Sequence, residues 1–265
     1  KPHYAVWEEG DWTDDTDQHI LVMRSLTKND CRVNGQDIAE SLMRWIEHGL
    51  DFFPFCDVKS HGAGNTMRML FSELGGPLIE ADRPELAALL VWAHPFAAIH
   101  GVCNGASNGS VMRCAIGGAL HCHAKTVQVE DIAKDAAALS RITHADPRCT
   151  AACVAVSTLI GQLLARRKRL GDGLPSISEA QDMIARSQLL AVEALKRDGE
   201  ALDKRFQDLE KTMGTLPRKF RETHQFDIVG ESWGSSRDDV FERCQPAELV
   251  QCMTADSWED LALAP

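Results

Sequence analysis

No apolar run in the sequence approaches the ~20 residues needed to span a bilayer, so no membrane-spanning helix is expected. Aromatic residues are few, 6% of the chain with one Tyr against six Trp. No stretch alternates apolar and polar residues long enough for a central strand. A sheet-built core is thereby excluded, and the abundant Ala, Leu, Ile and Val point to helices. Basic residues are in deficit: 28 Lys and Arg against 39 Asp and Glu leave a formal charge of −11. That excludes a nucleic-acid-coating role, because neutralising phosphates requires a basic face. The nine cysteines lack paired spacing, in a chain of 265 residues that can fold without staples. They read as reduced thiols of a cytoplasmic protein. Lys1-Pro2-His3-Tyr4-Ala5-Val6-Trp7 has neither an initiating Met nor an apolar signal core, so the chain is expected to begin inside a longer polypeptide.

What is present is helical periodicity. Asp15 to Leu26 places Ile20 and Met23, with Leu21 or Leu26, on one side. Ile38, Ala39, Leu42, Met43 and Ile46 repeat that stripe. A short helix is expected from Met67 to Leu74 and a buried one from Glu85 to Ala98. The segment Asp131–Thr143 buries Ile132, Ala136, Leu139 and Ile142. Thr150 to Arg169 is apolar on most sides and ends in Arg166-Arg167-Lys168-Arg169, cations that suit a helix C-terminus. Ser178 to Lys196 follows the turn signals at Gly171, Gly173 and Pro175. The fold class expected is all-α, a compact multi-helical bundle forming one domain over 1–265, with the charge-rich 196–243 at its periphery.

Four polar groups lie before or between these helices. Asp11-Trp12-Thr13-Asp14-Asp15-Thr16-Asp17 crowds four carboxylates into seven positions. One reading is a helix cap at Thr13 or Asp14 with acidic residues complementing the dipole. The other is a set of hard oxygen donors of the kind Mg²⁺ selects, the ion relieving the repulsion. Asn104 to Arg113 is a Gly/Asn/Ser loop, either a long turn or a cradle of backbone N–H groups for an anion. His61-Gly62-Ala63-Gly64-Asn65-Thr66 is a glycine turn into a helix. Thr143-His144-Ala145-Asp146-Pro147 links two helices, where a His serves as a cap or as a ligand contact. Gathered at one end of a bundle, the four would line a pocket.

Other motifs fail. Ala124 precedes Lys125-Thr126 where a phosphate-binding loop requires Gly. His121-Cys122-His123 has no second half for a structural zinc. Cys149 and Cys153 share a helix face as small core residues.

Taken in order, Trp12-Thr13-Asp14-Asp15-Thr16, Gly62-Ala63-Gly64-Asn65-Thr66, Asn108-Gly109-Ser110-Val111-Met112-Arg113 and Thr143-His144-Ala145 resemble the ADP-ribosylglycohydrolase family, best over 10–164. The resemblance implies an all-α fold with two Mg²⁺ ions, Mn²⁺ in some members. It implies Thr13, Asp14 and Asp15 as metal ligands, with Asp14 and Asp15 carrying catalysis. It also implies Gly62, Gly64, Asn108, Gly109, Ser110, Met112 and His144 as contacts to ADP-ribose or an ADP-ribosylated protein. The family's upstream Gly-Asp-Ala-Leu-Gly motif and late Gly-Asp-x-Asp-Thr motif do not occur here. Ser257 to Leu263 resembles the helix that precedes the late one. Two expectations follow: an internal piece of a complete hydrolase, or a reduced member that binds ADP-ribose or serves structurally. A helical scaffold without a ligand is the third class.

Overall fold

The computed structural model describes residue 9 and residues 12–52, 63–93, 106–121, 128–171 and 173–216. Gly62, the 217–243 part of the expected peripheral segment and the Ser257–Leu263 helix lie outside the described residues. Among the described residues the chain is all-α. The elements are α1 (Asp14–Lys28), α2 (Gly35–His48), α3 (Asn65–Leu70), α4 (Gly76–Glu80) and α5 (Pro84–Ala93). After a 3₁₀ turn (Asn108–Ser110) come α6 (Val111–Leu120), α7 (Val129–Arg141), α8 (Pro147–Leu170), α9 (Ile177–Glu200) and α10 (Leu202–Thr215).

Local chemistry sets the helix ends. The Asn34 side chain accepts the Asp37 N–H at the start of α2. Asp146 caps α8, where Pro147 fills a position that needs no N–H donor. Gly171, at φ 84°, ends α8 after Arg167, Lys168 and Arg169. Ser176 and Glu179 form a reciprocal capping box on α9. The helix expected over Met67–Leu74 stops at Leu70. The Ser72 hydroxyl donates to the Met69 carbonyl and accepts the Leu74 N–H, offering the backbone an alternative to another turn.

Two apolar clusters hold these elements. One joins α1 to α5 with α10 and includes Leu42, Trp45, Leu70, Leu89 and Leu90. The other lies between α7, α8 and α9 and is built mainly of Ala with Val154 and Leu195. The stretch from Lys196 is not peripheral as far as Leu216. Leu202, Leu209, Met213 and Leu216 enter the first cluster, and α10 packs on α5. In α1 the buried face is Gln18, Leu21, Val22, Ser25 and Leu26, while Met23 is 45% exposed. The helix is rotated from the expected stripe because two of its polar residues are bound inside the protein, as described below.

α6 and α8 approach closely through glycine. A Cβ at Gly118 would lie 2.3 Å from the Ser157 carbonyl oxygen and 2.9 Å from the Gly161 nitrogen, both backbone atoms that cannot move aside. At Gly161 the nearest obstacle is the Ile132 Cδ1 methyl at 2.3 Å, the end of a flexible side chain. Gly118→Ala is therefore expected to cost about 1–3 kcal/mol or more by overpacking, and more than Gly161→Ala. Gly199→Ala, with open space around it, serves as the control. Urea midpoints of the three variants check the ranking, and equal midpoints at 118 and 199 would refute the close crossing.

Candidate functional site

Thr13 occupies the N-cap of α1 in extended conformation, and its carbonyl accepts the Thr16 and Asp17 N–H groups at 3.0 and 3.3 Å. Its hydroxyl makes no capping bond. The helix is therefore capped by its acidic first turn, Asp14, Asp15 and Asp17, acting on the dipole. The three carboxylates are not equivalent. Asp17 accepts Trp12 Nε1 at 2.8 Å on one oxygen and the buried Trp45 Nε1 at 2.9 Å on the other. Both oxygens are committed, and the start of α1 is anchored to α2. Asp14 is half-buried and Asp15 exposed on the turn that remains.

One turn further, Gln18 is fully buried, and the group it meets is Arg113 of α6. The Arg113 guanidinium is 0% exposed. Nη1 donates to Gln18 Oε1 at 2.8 Å and to the Gly109 carbonyl at 2.9 Å, and Nη2 donates to the Thr143 hydroxyl. A single side chain thus ties α1, the 107–110 loop and the segment before α8. Burial pulls its pKa down to about 10, so it is still a cation at neutral pH. Among the described residues it meets no carboxylate. Its Nε and the Gln18 Nε2 are buried donors without partners among the described residues.

His144 closes the arrangement. Its Nδ1 bonds the Thr143 hydroxyl at 2.7 Å and its Nε2 bonds the Ser107 hydroxyl at 2.8 Å. Gly109 lies against the ring, where a Cβ would come within 3.2 Å of Cε1 and Nε2. Burial, assisted by the Arg113 charge, lowers the imidazole pKa to about 3, so the ring is neutral. Behind it, Asp146 accepts Trp92 Nε1 at 3.2 Å and is paired with Arg148 at 2.8 Å, fixing α8 to α5.

Three of the four expected groups therefore converge: Thr13 to Gln18, Ser107 to Arg113, and Thr143 to Asp146. Asn108 is exposed and Met112 half-buried. Ser110 turns inward, its hydroxyl accepting Ser140 Oγ–H at 3.1 Å in the core, so the group it can offer a ligand is its backbone. Gly64 is the exposed N-cap of α3, which packs on α5. Sequence reasoning missed the roles of Arg113, Gln18, Asp17 and Trp45. A lone charge in the apolar run Val111–Leu120 was the available signal for Arg113.

Thr13, Asp14 and Asp15 present hard oxygen donors, and the chemistry of that set suits a divalent cation such as Mg²⁺. Among the described residues no group of three His, Cys, Asp or Glu side chains closes on a metal position. His121 pairs instead with Asp135 at 2.8 Å, while Cys122 and His123 lie outside the described residues.

Among the described residues, a buried arginine joins an acidic helix start to a loop at a second helix start within an all-α fold. The ADP-ribosylglycohydrolase family model matches residues 2–264, and the chain belongs to that family. Its members act on ADP-ribosylated substrates and are generally divalent-metal dependent. No curated protein and no solved structure gives a significant match.

The buried neutral imidazole has a consequence for pH dependence. The folded pKa of His144, about 3, lies below the ordinary value of 6.5. The unfolded chain takes up a proton that the folded one refuses, so His144 contributes stability above pH 6.5 that is lost as pH falls toward 3. The slope approaches about 1.4 kcal/mol per pH unit. In His144→Asn this part of the acid sensitivity is expected to vanish, measured as urea midpoints between pH 7 and pH 4. An unchanged acid slope in the variant would contradict a buried neutral ring.

Proposed function

We propose that this chain is a metal-dependent hydrolase that cleaves the glycosidic bond at the distal ribose of an ADP-ribosylated protein or a related ADP-ribose derivative. The observation that carries this reading is the Arg113 tie. In a chain of this family, it brings the oxygen-rich start of α1 and the 107–110 loop to one place. The loop runs into α6, and the first N–H groups of a helix lack intrahelical partners. Asn108, Gly109 and the Ser110 backbone are therefore suited to a pyrophosphate or ribose oxygen. His144, held neutral, keeps the loop in place without adding charge. Met112 and Gly64 are proposed as further contacts, and Gly62 is carried by the resemblance alone.

Thr13, Asp14 and Asp15 are proposed to hold Mg²⁺, with Mn²⁺ as the alternative. A cation bound there would supply electrostatic orientation of the ribose hydroxyls and of the attacking water. The chain's own contribution is to present the ribose with its anomeric carbon toward the carboxylates, where developing oxocarbenium character is favoured by nearby negative charge. Asp14 and Asp15 are the groups proposed to accept the proton of the water. Asp17, bound by two indoles, sets the position of that turn and is not a proton carrier.

Two measurements test the reading: calorimetric titration of ADP-ribose with and without Mg²⁺, and release of ADP-ribose from a modified protein. Asp14→Asn is expected to lower turnover by at least about 100-fold while the helical circular dichroism is unchanged. Metal-independent binding, or full turnover in the variant, would overturn the assignment. Metal-dependent binding without turnover in the parent chain would identify a member that binds ADP-ribose and does not hydrolyse it.

A further inference from the structure

Three thiols lie directly beneath the 107–111 segment. The Cys149 thiol donates to the Ser107 carbonyl at 3.2 Å, Cys153 to the Ser110 hydroxyl at 3.3 Å, and Cys114 to the Val111 carbonyl at 3.0 Å. All three are buried. Cys114 stands on α6 and Cys149 and Cys153 on α8, the two helices that touch at Gly118. The register of that crossing places two of the sulfurs together. Gly118 faces Ser157 and Gly161, and the Ser157 hydroxyl donates to the Cys114 carbonyl at 2.8 Å. One turn back on each helix stand Cys114 and Cys153, close enough for each thiol to shift the other's ionisation.

We propose that Cys153 and Cys114 are a modification site, a thiol pair that a small peroxide oxidises to an intrachain disulfide beneath the loop. Their surroundings divide the labour. The neighbouring Cys114 thiol, the Ser110 and Ser140 hydroxyls and the Arg113 cation hold the Cys153 thiol below its ordinary value. The Cys153 neighbour and then burial raise Cys114, and burial with the Asp146 charge raises Cys149. Cys153 is therefore the most readily ionised of the three, and it stands beside a resolving thiol. Its sulfur attacks a peroxide oxygen: an S–O bond forms, the O–O bond breaks, and the leaving alkoxide or hydroxide takes a proton. Cys114, losing its proton, then attacks the Cys153 sulfur; the S–S bond forms and hydroxide leaves as water. Two electrons pass from the thiol pair to the peroxide. Cys153 lies behind buried Ser110, two residues from exposed Asn108. The disulfide takes Cys153 out of its bond to Ser110 and loosens the loop. Resting on the function proposed above, ADP-ribose is expected to slow the oxidation, and the oxidised chain to bind it at least about tenfold more weakly.

The experiment is peptide mapping of the full chain under non-reducing conditions after graded hydrogen peroxide, with exposed Cys31 as the internal marker of dose. A Cys114–Cys153 cross-link reversed by dithiothreitol, with helical dichroism retained, is the expected result. In Cys114→Ser a sulfenic-acid reagent should label Cys153 ahead of Cys149. Free thiols at both 114 and 153 when Cys31 is fully oxidised, or a cross-link that uses Cys149 instead, would overturn the proposal. If Cys114→Ser does not fold, the mapping of the unsubstituted chain decides alone. The mapping needs no substrate. A cross-link without ADP-ribose binding in either redox form would count against the proposed function and leave the thiol pair standing.

Discussion

A guanidinium removed from water is the constraint around which the described residues are arranged. Arg113 is surrounded by neutral acceptors, Gln18 Oε1, the Gly109 carbonyl and the Thr143 hydroxyl. Hydrogen bonds to a charged group are stronger than neutral ones, and their loss leaves a buried charge exposed to its full desolvation cost. Each acceptor therefore has one acceptable position. Because the three belong to α1, the 107–110 loop and the segment before α8, that demand fixes three chain segments far apart in sequence. A Lys could carry the charge but could not span the same acceptors, since its ammonium is a point and lacks the planar fork.

The rotation of α1 follows. Hydrophobic periodicity alone would turn Ile20 and Met23 inward, yet Met23 is half-exposed and Gln18 is buried. Asp17 bound to Trp45 on one side and Gln18 bound to Arg113 on the other hold the helix at that angle. The same rotation sets the direction in which Thr13, Asp14 and Asp15 leave the bundle. The polar anchors thus cost some apolar burial on α1 and determine where its first turn points. The close crossing of α6 and α8 gives the loop a firm floor. The Ser157 carbonyl and the Gly161 nitrogen leave no space for a larger side chain at Gly118, and one turn back the Cys153 thiol meets Ser110.

The helices were largely legible because their signals are local. The stripe Ile38, Ala39, Leu42 identified α2, the stripe Ile132, Ala136, Leu139 identified α7, and the cationic run closing α8 marked its end. The all-α class followed from the absence of any period-two pattern. Ordered motifs with a family resemblance also located the polar segments that converge. What the sequence could not carry was orientation. Ser110 reads as a ligand contact, yet its side chain faces Ser140; Thr13 reads as a capping hydroxyl, yet its side chain does not cap. Each of these directions is set by a partner more than twenty residues away or by the backbone angle at a helix start, and periodicity encodes neither. The 196–216 segment was misplaced for a related reason. Its charges mask four apolar residues, Leu202, Leu209, Met213 and Leu216, whose burial depends on α5 being there to receive them.

The electrostatics explain how a chain of charge −11 can accept an anion in the proposed function. Nearby carboxylates are already engaged: Asp17 by two indoles and Asp146 by Arg148. His144 is neutral, so it neither helps nor opposes. The Arg113 charge, balanced by no described carboxylate, remains to act on the loop above it. At an effective dielectric of 20, a unit negative charge roughly 8 Å from such a cation is favoured by about 2 kcal/mol. Asp14 and Asp15 act in the opposite sense from the start of α1. Those two opposing fields make the sign of the site depend on what occupies the acidic turn. With a divalent cation there, both sides attract a pyrophosphate; without one, the gain from Arg113 is largely offset. Metal and nucleotide affinity are then two readings of one coupled equilibrium, and each must strengthen the other by the same factor.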